Sequence, residues 1–164
     1  MTQLVAWIDR ITARVAELAG WSCFILVILI CLDVGMRYLL NSSFIWMMEL
    51  EIYLFAMVFM LGSAYALQKD KHVRVDVFYD RWSERTQAWI DLSGTVLLLL
   101  PWTCILIWVG WQYTRMSWLI GEGSAQPGGL PALYILKALI PLGMLLLGLQ
   151  GISLMYHSIQ RLRK

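Results

Sequence analysis

An all-α membrane protein, with four transmembrane helices, cytoplasmic N- and C-termini and an amphipathic interfacial segment between helices 2 and 3, is what this 164-residue sequence predicts. Three observations carry that expectation. The chain is 60% hydrophobic and only 15% charged, too apolar for one small soluble domain to hide from water. It holds four apolar stretches near the ~20 residues a helix needs to cross the hydrocarbon core. Its cations are also one-sided: with a cytoplasmic N-terminus, Arg10, Arg14, Lys69, Lys71, Arg74, Arg81, Arg85, Arg161, Arg163 and Lys164 fall inside, against Arg37 and Arg115 outside. Such asymmetry in short loops orients a membrane chain. Residues 1–164 read as a single transmembrane domain.

The first helix is expected over about 15–38. Asp33 and Arg37 near its outer end are spaced for an i,i+4 pair. The residues before it carry Asp9, Arg10, Arg14 and Glu17 and show no small-residue cleavage site, so no cleaved signal peptide is expected. The second helix covers about 46–68, with Glu49 and Glu51 placed in its first turn, where carboxylates favour the helix dipole. Gly62, Ser63, Ala64 and Ala66 make its inner half small-sided, which lets helix backbones approach closely in lipid. The connector that follows alternates charges with Val75, Phe78, Tyr79 and Trp82. It reads as an amphipathic helix lying in the interface over about 72–84.

The third helix spans about 86–115, with a kink expected at Pro101 because its ring displaces a backbone hydrogen bond. Gly121 to Gly129 forms an outer loop. The fourth helix covers about 131–158, with Pro131 suited to its first turn and a bend expected at Pro141. Cys23, Cys31 and Cys104 lie within apolar segments with no CxxC pair, and read as small buried apolar residues.

Chemistry at depth requires ionisable groups inside the membrane, and Lys137 is the exception in these helix centres. Placed about two turns into the fourth helix, it either pairs with Glu49, Glu51 or Asp33 or snorkels to the surface. His72 and His157 sit at helix ends or in the connector, so they do not form the facing pair that would ligate a haem. The cations form no block suited to nucleic acid. No cofactor, no metal and no catalytic residue is expected, and the chain is read as a partner-holding protein rather than an enzyme. A quinone- or haem-linked membrane oxidoreductase subunit is the alternative.

Arg37-Tyr38, Trp46 with Glu49-Leu50, Gly62-Ser63-Ala64 and His72-Val73-Arg74-Val75-Asp76 occur in order along the chain. In this order and spacing the sequence resembles the small membrane subunit of tripartite ATP-independent periplasmic (TRAP) transporters, the DctQ-type family, over nearly its whole length. Met48 departs from the family pattern, which often has an acidic residue there. The outer loop and fourth helix are similar to a subgroup associated with 2-oxo acid or related organic-acid uptake. The resemblance implies a bacterial inner-membrane protein, embedded in the lipid bilayer, that serves as scaffold for a large TRAP membrane subunit and a periplasmic solute-binding protein in sodium-coupled uptake. It nominates Arg37, Trp46, Glu49, Gly62, His72, Arg74, Asp76 and Lys137 as subunit-interface or structural residues, and Arg37, Glu49 and Glu122 for docking of the binding protein.

Overall fold

Apolar runs with polar punctuation give long helices, and the computed structural model describes residues 2–69, 79 and 82–163. Among the described residues, four helices are long and apolar enough to cross a membrane. They are α1 (Thr2–Leu39), α2 (Ile45–Gln68), α3 (Glu84–Leu119) and α4 (Tyr134–Leu162). Both termini lie at one end of the bundle, since Asp9 of α1 meets Ser153 of α4. The α1–α2 and α3–α4 connectors occupy the other end.

α4 is the axis of the bundle. It packs against each of the other helices, and α1 runs along α2, whereas among the described residues α2 and α3 share no comparable interface. Glycines on α4 make this possible. A Cβ on Gly143 would lie 2.9 Å from both the Cβ and the carbonyl oxygen of Met60 on α2. One on Gly151 would run into Leu99 of α3. On α3, Gly110 receives the ring of Pro141, whose Cδ would stand 3.0 Å from an added Cβ. Sequence reading put the close-packing residues on α2; of Gly62, Ser63, Ala64 and Ala66 only Ala64 is buried, while Gly62 faces open space. Gly143→Ala is expected to push α2 from α4 and cost about 1–3 kcal/mol, as overpacking does; a lower thermal midpoint in detergent checks it.

Helix bounds shift from the sequence expectation, most at the start of α1, and α3 and α4 also run on to Leu119 and Leu162, past the expected ends near 115 and 158. α1 starts at Thr2, because Val5, Ile8, Thr12 and Ala19 form a buried stripe at helical spacing that faces the bundle. α2 starts at Ile45, so Glu49 and Glu51 lie beyond its first turn. α4 starts at Tyr134, not at Pro131, since Leu133 N–H donates to the Glu122 carbonyl at 2.9 Å and Leu130 C=O accepts from Ser124 N–H at 3.0 Å. Those backbone groups belong to the loop, and Ala132 at φ +69° breaks the helical path.

Prolines are absorbed differently. Ahead of Pro101 the chain widens into a π turn, Thr95–Leu99, in which Leu100 N–H reaches back to the Thr95 carbonyl. Such a turn relieves the clash a proline ring makes with the preceding turn. α4 stays α-helical through Pro141. The cysteines are exposed on the bundle's outward faces, contrary to the burial expected. An apolar thiol loses nothing by facing hydrocarbon, so in a membrane it need not turn inward.

Candidate functional site

Polar side chains gather at the two ends of the bundle. At the loop end, Glu49 of α2 holds the α3–α4 connector. Its Oε1 accepts from Ser124 Oγ, and its Oε2 accepts from the Leu130 N–H at 2.6 Å. Gly129 is needed beside this clamp, because a Cβ there would strike Ser124 and come within 2.7 Å of Glu49 Oε1.

Lys137 sits in the first turn of α4, not two turns inside it. Its ammonium donates to Glu122 of the loop and lies 4.0 Å from the centre of the Tyr113 ring. The expected partners Glu49, Glu51 and Asp33 are therefore replaced by Glu122. The later start of α4 brings Lys137 level with the connector, and the paired side chain is only 9% exposed rather than snorkelling to the surface. Trp118 and Tyr134 meet edge to face beside it, 4.5 Å apart.

Hydrogen bonding from Lys137 holds the Glu122 carboxyl below the ordinary glutamate value of 4.5. A carboxyl that binds its proton less readily when folded stabilises the fold above its unfolded value and loses that contribution as pH falls through the lowered one. Loop order is thus expected to persist at neutral pH and to fade in acid below that value. Hydrogen exchange at the Leu133 amide, followed against pH in wild type and Glu122→Gln, checks it.

On α1, Arg37 donates to Asp33 at 2.6 Å, the pair expected from spacing. The Arg37 side chain remains 53% exposed and borders a small cleft with Ser43, Phe44 and Met48. Trp46 is exposed beside Phe44.

A second cluster, at the termini end, ties α1, α2 and α4 together. Asp9 Oδ1 accepts from Gln150 Nε2 at 3.0 Å and from Ser153 Oγ at 2.8 Å. Gln150 Oε1 in turn accepts from Thr12 Oγ1 at 2.9 Å. Gln68 Nε2 donates to the Asp9 backbone carbonyl at 2.9 Å, and His157 Nε2 lies 3.7 Å from Asp9 Oδ2. Thr12, Gln150 and Ser153 are all buried. A buried network of this kind is costly to break, since each lost partner strands another.

Residues 26–161 match the family described as tripartite ATP-independent periplasmic transporters, DctQ component. The chain belongs to this family. It is a multi-pass protein of the inner membrane and a transporter component, not an enzyme. Among curated relatives, it is 28% identical over 85 residues to a sialic acid TRAP transporter small permease protein of Vibrio cholerae, covering 52% of this chain and 49% of the relative. It is 24% identical over 147 residues to a C4-dicarboxylate TRAP transporter small permease protein of the same organism, covering 77% and 63%. The chain thus spans between about half and two thirds of the relatives it matches.

The sequence motifs of this DctQ component divide in the structure. Arg37, Glu49, Glu122 and Lys137 come to the loop end, Gly62 faces outward from α2, and His72, Arg74 and Asp76, with most of the interfacial segment at 72–84, lie outside the described residues. Sequence reading missed the Asp9 cluster. Its signal was present as polar pairs three residues apart, Asp9 with Thr12 and Gln150 with Ser153, each on one helical face of an apolar stretch.

Proposed function

We propose that this chain is the small permease subunit of a TRAP transporter, a rigid membrane scaffold that packs on a large transport subunit and supports sodium-coupled, binding-protein-dependent uptake of an organic acid. The supporting observation is where its polar groups are spent. Residues 18–32, 52–68, 92–114 and 138–156 contain no Asp, Glu, Lys or Arg, and at the loop end Asp33, Glu49, Glu122 and Lys137 are engaged in contacts that fix the chain's own shape. A protein built this way offers a stationary surface. The relatives are named for sialic acid and for C4-dicarboxylates, both carboxylate-bearing, which favours an organic acid here.

In this reading the termini end is cytoplasmic, as the distribution of Lys and Arg favours, and the loop end faces the periplasmic binding protein. Arg37 supplies the exposed charge for docking. Glu49 and Glu122 act by holding the connector in shape. Reconstitution tests the proposal: the chain alone in liposomes is expected to move no solute, and organic-acid uptake to appear only with the large subunit, the binding protein and a sodium gradient. Transport by the chain alone would refute it.

A further inference from the structure

α2 and α3 flank α4 without closing on each other, which leaves a groove of about 630 Å³ at the termini end. Its long wall is α3 from Asp91 to Ile105, roughly 21 Å at 1.5 Å per residue. Leu67 of α2, Leu154 of α4 and Tyr79 line it as well. The π turn Thr95–Leu99 lies within this wall, and Leu97 and Leu98 stand 70% and 72% exposed along it. The deep part is hydrocarbon.

Its mouth is not. Asp91 accepts from the Tyr79 hydroxyl at 2.7 Å and has Arg161 Nη1 at 3.9 Å. The Asp91 side chain is 10% exposed and that of Arg161 is 50% exposed, so a carboxylate and a guanidinium stand side by side at the end of an apolar slot. We infer that this groove binds one glycerophospholipid with a primary-amine headgroup, its acyl chain along α3 and its headgroup at Asp91 and Arg161. The paired charges complement a zwitterion: Arg161 meets the phosphate and Asp91 accepts from the ammonium. An anionic headgroup would satisfy Arg161 yet face the Asp91 carboxylate, and a quaternary amine would bring no N–H to donate. The volume falls within the ~300–1,000 Å³ of small-molecule pockets.

Native mass spectrometry of the full chain, released from detergent with equimolar phosphatidylethanolamine and phosphatidylglycerol of identical chains, tests the assignment. Wild type is expected to retain one phosphatidylethanolamine in preference to phosphatidylglycerol. Gly94→Leu fills the slot from a position whose Cβ meets nothing within 4 Å, and leucine favours the helix over glycine; it is expected to keep its circular dichroism and thermal midpoint while losing roughly tenfold in lipid retention. Asp91→Asn is expected to keep the acyl chain and lose the preference between headgroups. Equal retention of the two lipids by wild type, unchanged retention by Gly94→Leu, or an unchanged preference in Asp91→Asn would each overturn the inference.

Discussion

Glu49→Ala is expected to free the α3–α4 connector from the bundle and to destabilise the protein by about 3 kcal/mol, since hydrogen bonds to a charged acceptor contribute about 1.5–3 kcal/mol each and two are lost. Both reach into one loop. Ser124 Oγ and the Leu130 N–H converge on the two carboxylate oxygens, and the backbone bonds of Ser124 to Leu130 and of Leu133 to Glu122 depend on that fold of the connector. Its loss also loosens Glu122, and with it the partner of Lys137. Glu49→Gln keeps one carbonyl oxygen for the Leu130 amide, so about half the effect is expected. Hydrogen exchange at Leu130 and proteolysis within the connector report the release directly. If both stay at wild-type rates in Glu49→Ala, the clamp is not what holds the loop.

The transmembrane architecture was legible because it depends on run length and hydropathy, which a sequence states outright. The Asp33–Arg37 pair was legible because its partners lie one turn apart on a single helix. Glu49 and Lys137 were not. Their partners are 75 and 15 residues away along the chain, brought close by a connector whose path rests on Gly129 and on Ala132 at positive φ. Helical periodicity carries no record of such pairings. The start of α4 was misplaced for a related reason: Pro131 is a sound first-turn residue, but the loop's own hydrogen bonds claim the backbone groups that an earlier helix would use. Small residues on α2 drew attention through their density, whereas packing selected isolated glycines on α4, where a single missing Cβ at Gly143 decides the approach to Met60.

At the opposite end, Asp9→Ala is expected to detach the first turns of α1 from α4, at about 2–5 kcal/mol, because it strands Gln150 Nε2 and Ser153 Oγ in places where a lost partner costs about 1–3 kcal/mol per group. Those two residues are 3% and 0% exposed, so water does not readily replace the carboxylate. Without Asp9, Gln150 also loses the partner that orients it toward Thr12. Hydrogen exchange over residues 2–17 is expected to rise while exchange at Leu130 stays unchanged, since the two clusters lie at opposite ends. The converse substitution separates a polar penalty from simple loss of contact: combining Asp9→Leu with Gln150→Leu and Ser153→Ala removes the carboxylate together with both side chains that donate to it, leaves only the Thr12 hydroxyl without its partner, and is expected to recover much of the stability. What the apolar set does not restore is register. The carboxylate fixes which turn of α1 faces which turn of α4, while leucines would pack in neighbouring registers at similar energy. Cysteine cross-linking across the α1–α4 seam is expected to give one dominant pair in wild type and several in the triple variant. A single pair in both would show that the apolar stripe of Val5, Ile8 and Ala19 sets the register unaided.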